Sequence, residues 1–200
     1  MVKGAKYWDD PGSFYCQMNN PTEVFLKATM GERQGWLQSC GPTAAVNCLA
    51  SMGVPLKFKG PGVYRPQPEE VLMDYFNDPR NISRLREVRR LPDNIPGNRV
   101  PQYYEMAVEE VFAQRAEFRW GCHFDTVANH VSAGNPVMIC LESPSHYVAV
   151  VAFDTDTAEL VYHDSWGARF PDGRGGFSRR MARAEFSSNV KSYHIVFGLL

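Results

Sequence analysis

The spacing of apolar residues changes character at Gly134. Before it, the informative stretches repeat at helical intervals. In SCGPTAAVNCLASMG, starting at Ser39, the residues Ala45, Leu49 and Met52 recur every three or four positions. Pro42 suits a first helical turn, the alanines favour helix, and Gly53 is a C-terminal stop. The same pattern predicts a helix over Pro68 to Phe76, with Glu69 and Glu70 in its first turn, and another over Gln102 to Ala113. A fourth is predicted over Asp125 to Ala133, with Asp125 as N-cap and Gly134 as stop. After Gly134 come short runs rich in Val, Ile, Tyr and Phe: PVMICLE, HYVAVVAFD, ELVYHD and SYHIVFGLL. Turn-forming residues separate them, which predicts an antiparallel sheet, with Asp154 to Ala158 as one hairpin loop. Helices first and strands later predict an α+β fold, a helical layer on one side of a sheet. The near-continuous apolar run Val148 to Phe153 predicts a strand covered on both faces. No internal repeat or low-complexity stretch divides the chain, so residues 1–200 are expected to form one domain.

Composition narrows the function classes. A chain of 200 residues with 44% hydrophobic content buries roughly 70% of the surface of its unfolded state, enough for a core without disulfides or a structural metal. The charges balance, 21 Lys and Arg against 22 Asp and Glu, which argues against nucleic acid as the partner. Two segments are locally basic, Arg80 to Arg99 and Gly167 to Arg183; solvated loops and helix faces are their ordinary reading, a groove for an anionic polymer the alternative. The opening residues MVKGAKYWDDPGSFYCQMNN contain no apolar signal region, so synthesis in the cytoplasm is expected. The longest apolar run, Tyr147 to Phe153, is strand-sized, so no transmembrane segment is expected. Five cysteines, an odd number without a C-x-x-C pair, predict neither a disulfide framework nor a zinc ribbon. The Cys122-His123 dipeptide lacks further ligands at metal-binding spacing, so no metal and no cofactor are implied.

One cysteine stands apart. A thiol at a helix N-terminus meets unpaired backbone N–H groups and the positive end of the helix dipole, both of which favour thiolate, and Cys40 is placed that way. A nucleophile also needs a base, and the base an orienting group. His146 opens one apolar strand and Asp164 ends the next, so hairpin geometry makes them neighbours. His163 is the rival base, but strand alternation turns it away from the face of Asp164. Cys48, about two turns along the helix from Cys40, is expected in the core, as are Cys16, Cys122 and Cys140. His130 and His194 have no evident role.

The stretch QGWLQSCGPTA and the later segment GNPVMICLESPSHYVAVVAFDTDTAELVYHDSWG together resemble papain-like cysteine peptidases. They are most similar to the branch of bacteriocin-processing, double-glycine leader peptidases and their stand-alone relatives. The resemblance covers residues 30–54 and 125–170. It implies a papain-like fold, with Cys40 as nucleophile, His146 as general base and acid, and Asp164 as the residue orienting the imidazole. It also implies Gln34, six positions before Cys40, as the side-chain donor of an oxyanion hole, with Gln38 the rival. Gly41-Pro42 stand where papain has an aromatic residue after the nucleophile, so papain's own substrate preferences are not implied. Among stand-alone relatives the implied substrate is a peptide, with a phage-type lysin (endolysin) cleaving peptidoglycan after release as one expectation. Leader-peptide or protein processing, amidase or deamidase chemistry, and a catalytically dead module binding an anionic polymer are the alternatives. The walls of the substrate groove are expected from residues 55–120.

Overall fold

The computed structural model describes residues 1–17, 39–56, 68–89, 99–166 and 175–198. Its strands are β1 (Val2–Gly4), β2 (Ala116–Trp120), β3 (Val137–Leu141), β4 (His146–Asp154), β5 (Glu159–His163), β6 (Arg179–Met181) and β7 (Val190–Phe197). Its α-helices are α1 (Cys40–Met52), α2 (Pro68–Asn77), α3 (Pro79–Arg89), α4 (Tyr103–Phe112), α5 (Phe124–Ser132) and α6 (Arg183–Asn189). The strands form one antiparallel sheet in the order β2-β7-β3-β4-β5-β6. The short β1 pairs with the second half of β4, Val2 opposite Asp154 and Gly4 opposite Ala152, along the edge that β3 leaves open.

β4 is the spine of the molecule, and its burial follows from its sequence. Val148 to Ala152 are wholly buried. Ala149 and Val151 join a core with α1, α2 and α4, while Val148 and Val150 face a second core with α5 and α6. The fold is therefore α+β, as the pattern predicts, and β4 is covered on both faces. The single helical layer is corrected: α5 and α6 lie across the sheet from α1. Helix α1 is itself buried all round, Gly41 to Ser51, which suits its Ala-rich, charge-free composition. It stops where expected, because Gly53 at φ 81° adopts the left-handed conformation that closes a helix with little strain.

The helices fall close to their predicted bounds, with one correction. The cap of α5 is His123, and Asp125 sits in the first turn, where it pairs with Arg183 of α6. Three strands and two helices were not read from the sequence. Helix α3 carries mostly polar residues, and among its described side chains Leu85 alone is fully buried. Its signal is local: Asp78 accepts the Arg80 N–H at 2.9 Å and Pro79 follows as the first helical residue. β1, β2 and β6 are short edge pieces rich in Lys, Arg and Glu, and α6 buries Phe186 alone.

Candidate active site

Cys40 is the first residue of α1 and half-buried. It is held there because α1 packs along β4, with Thr43 anchoring the first turn through its N–H and hydroxyl, both on the Ser39 carbonyl at 2.9 Å. His146 begins β4, and Asp164 follows the last residue of β5. The β4–β5 hairpin closes at Asp154 opposite Glu159, so its open end brings His146 and Asp164 together. The His146 Nε2 lies 2.7 Å from the Asp164 Oδ1, and both side chains are buried. The same carboxylate oxygen accepts the Trp166 N–H at 2.8 Å, and the Trp166 ring meets the His146 ring edge-on at 5.9 Å. On its other side Asp164 donates its N–H to the Gly176 carbonyl at 2.8 Å. Gly176 is required at this contact, since a Cβ there would fall 1.7 Å from the Asp164 carbonyl oxygen.

Opposing forces set the protonation of His146. Burial pushes its pKa down, but its hydrogen bonds to Asp164 and Cys40 and their negative charges outweigh burial and lift it from 6.5 to about 9. Cys40 is therefore within hydrogen-bonding reach of the ring. With Nε2 committed to Asp164, Nδ1 is the nitrogen left for the sulfur. An imidazolium held between a thiol and a carboxylate can stabilise a thiolate and later release its proton to a leaving group.

Gln34 and Gln38 lie outside the described residues. The structure instead brings a glutamine to the site that the sequence reading did not single out. Gln17 is fully buried; its N–H donates to the Ser165 carbonyl at 3.1 Å and its Oε1 accepts the Ser165 hydroxyl at 2.6 Å. The strand of chain leading to it is tied to α1, where the Asn47 amide clasps Tyr15 through Tyr15 N–H to Oδ1, 2.6 Å, and Nδ2 to Tyr15 carbonyl, 3.1 Å. Cys16 donates its thiol to the Ser165 carbonyl at 3.2 Å. The amide of Gln17 is thus bonded to the residue following Asp164, on a stretch of chain that Tyr15 fastens to α1. Spacing from Cys40 could not reveal it, because 22 residues intervene, most outside the described set.

The rivals find other places. His163 is buried, stacked on Phe177 at 4.8 Å, accepts the Ser178 N–H at 3.1 Å, and is held near pKa 4 by burial, so it is a neutral packing residue. His194 lies 6.0 Å from His130, ring to ring, on the α5 side of the sheet. Cys48 and Cys140 are buried, and burial raises the Cys48 thiol well above its ordinary range and the Cys122 thiol to about 12. Four arginines of the basic segments are paired with carboxylates: Arg80 with Asp78, Arg84 with Glu110, Arg180 with Asp154 and Arg183 with Asp125. Among the described residues no three His, Cys, Asp or Glu side chains gather as metal ligands, and no helix is long and apolar enough to cross a membrane.

A family model described as "Peptidase_C39 like family" matches residues 13–190, which includes Gln17, Cys40, His146 and Asp164. No curated protein matches the sequence.

Proposed function

The chain belongs to the Peptidase_C39-like family, of cysteine-peptidase type, and on that premise we propose that it hydrolyses peptide or amide bonds through an acyl-enzyme on Cys40. The observation that carries the reading is the buried His146–Asp164 pair with Cys40 in hydrogen-bonding reach at the start of α1. The Cys40 thiolate attacks the substrate carbonyl, and the C=O electrons move onto oxygen. His146 then gives its proton to the departing amine as the C–N bond breaks, leaving a thioester. A water that surrenders its proton to His146 attacks the thioester; collapse releases the carboxylic acid and restores the thiolate–imidazolium pair. Asp164 keeps the ring oriented and favours its charged form.

The tetrahedral oxyanion needs fixed donors. The Cys40 N–H is one. For the side-chain donor, resemblance offers Gln34 and geometry supports Gln17, whose amide is oriented by the Ser165 hydroxyl donating to its Oε1. We assign the role to Gln17. Replacing Gln17 with Ala should lower kcat about 100-fold with little change in KM, by the usual worth of one such donor. The same loss in Gln34→Ala with Gln17→Ala unaffected returns the role to Gln34.

For substrate we propose the stem peptides of peptidoglycan, as in a phage-type lysin, supported by the resemblance to stand-alone relatives of leader peptidases. The decisive assay incubates wild type and Cys40→Ala with purified peptidoglycan and with a peptide library, and identifies new termini by mass spectrometry. New amine termini in the muropeptides, made by wild type alone, support the lysin. Cleavage confined to the library turns the assignment to protein or leader-peptide processing, and ammonia without chain cleavage to a deamidase. Termini made equally by Cys40→Ala, or by neither protein, overturn the peptidase reading.

A further inference from the structure

An aromatic surface runs from the neighbourhood of Cys40 to the far edge of the sheet. Its inner end is Tyr147, which follows His146 on β4, and Tyr104 of α4, part of the core against which Cys40 packs. Tyr104 and Tyr147 stand 6.4 Å apart, ring centre to ring centre, and Tyr147 and Tyr193 6.5 Å. Beyond Tyr193 lies Trp120 at 6.2 Å, with Phe118 completing a triangle at 5.0 Å from Trp120 and 5.9 Å from Tyr193. Parity puts all of them on one face: Trp120 is registered with Tyr193 and Phe118 with Ile195, and Phe118, Tyr193, Tyr147 and Cys40 all border the α1-side core.

The inner part of this surface serves the fold, but its outer end does not. Trp120 is 70% exposed, against the usual burial of so large an apolar ring, and the other exposed large hydrophobics among the described residues, Met1 and Tyr7, are near the N-terminus. Its supports are rigid. The Tyr147 and Tyr193 hydroxyls meet at 3.0 Å, and the Phe118 N–H donates to Glu105 of α4 at 2.8 Å. A fixed aromatic ring standing in solvent at the outer end of a surface that leads toward Cys40 is preorganised for an apolar group.

The occupant follows from the spacing. An extended peptide advances about 3.4 Å per residue and points alternate side chains to one side, so residues i and i+2 are separated by nearly the 6.2 Å step from Tyr193 to Trp120. Resting on the peptidase reading of Cys40, we infer that Tyr193, Phe118 and Trp120 form a specificity wall on which an extended peptide substrate seats two alternate side chains, the outer one bulky and apolar against Trp120. Lys191 of β7 donates from its Nζ to the hydroxyl of Ser145, the residue before His146, at 3.0 Å.

The test separates this wall from the chemistry by using binding to the Cys40→Ala protein. The probes are N-acetylated pentapeptide amides carrying Phe or Ala at alternate positions, and the readout is the indole N–H resonance of Trp120 in a nitrogen-15 spectrum, assigned by its loss in Trp120→Ala. The Phe peptide should move that resonance and bind at least about tenfold more tightly than the Ala peptide, as expected for covering one aromatic side chain. Trp120→Ala should erase the preference while keeping the wild-type melting temperature, since the ring is exposed. Equal binding of the two peptides, no binding of the Phe peptide, or a Trp120 resonance that stays in place overturns the proposal. So does a response to an N-acetylglucosamine disaccharide in place of the peptide, which would make the wall a carbohydrate surface. Hydrolysis that depends on Cys40 is measured separately, so failure of the wall and failure of the peptidase reading give different results.

Discussion

His146 is the residue on which the proposed chemistry turns, and its environment dictates a pH profile. Burial alone would leave it neutral; its bonds to Asp164 and Cys40 keep it charged up to about pH 9. The pair therefore contributes stability that is fully present below the ordinary histidine value of 6.5 and is lost as pH rises through about 9. Hydrolysis should show its alkaline limb near pH 9, read from kcat/KM across pH 6 to 10. Asp164→Asn should move that limb down and lower kcat/KM by about two to four orders of magnitude, because the ring loses both its orientation and a charge partner. An unmoved limb would mean that another group titrates there. At this scale the placement of Cys40, His146 and Asp164 was legible in the sequence because each stands at the end of a strongly patterned element. Gln17 was not, since it sits on irregular chain and is defined by its contacts with Ser165, across 148 residues.

Among the elements, the hairpin of β4 and β5 positions the pair, and the turn around Gly176 locks Asp164 against it. Gly176→Ala should press on the Asp164 carbonyl, displace the carboxylate and cost about 100-fold in kcat, with a downward shift of the alkaline limb. A variant with normal kinetics would show that this contact relaxes without reaching the side chain. In α1, Leu49 is fully buried in the core between helices and sheet, so Leu49→Ala should lower the unfolding free energy by about 2–5 kcal/mol in denaturant titration. The elements legible from pattern were those buried enough to show a period or an apolar run: α1, α2, α4, α5, β3, β4, β5 and β7. Helix α3 escaped because its face is polar and its start is marked by Asp78-Pro79 alone. Edge strands β1, β2 and β6 are too short or too charged to show an apolar alternation, and they owe their conformation to the strands they pair with.

Across the whole molecule, the near-zero net charge conceals an uneven interior. His163 is buried and held near pKa 4, and His194, buried with Arg119 and His130 alongside, is also held near 4. Their depressed values contribute stability that is complete above pH 6.5 and lost as pH falls toward 4. The thermal midpoint should therefore drop over that interval, and His194→Gln should flatten the drop. A midpoint independent of pH from 6.5 to 4 would contradict the burial of both rings. The basic segments bear on the alternative of an anionic-polymer binder: the paired arginines Arg80, Arg84, Arg180 and Arg183 already have carboxylate partners in the fold. Helices on both faces of the sheet could not be read from order along the chain, because sequence order does not say which face a helix covers. All of these levels converge on one thiol. The most direct test is the alkylation rate of each of the five cysteines by iodoacetamide at pH 6, resolved by peptide mass spectrometry in wild type and His146→Ala. Cys40 should react at least about tenfold faster than any other cysteine, with the advantage lost in His146→Ala. A Cys40 no faster than the rest, or equally fast without His146, would contradict the assignment of Cys40 as a nucleophile activated by His146.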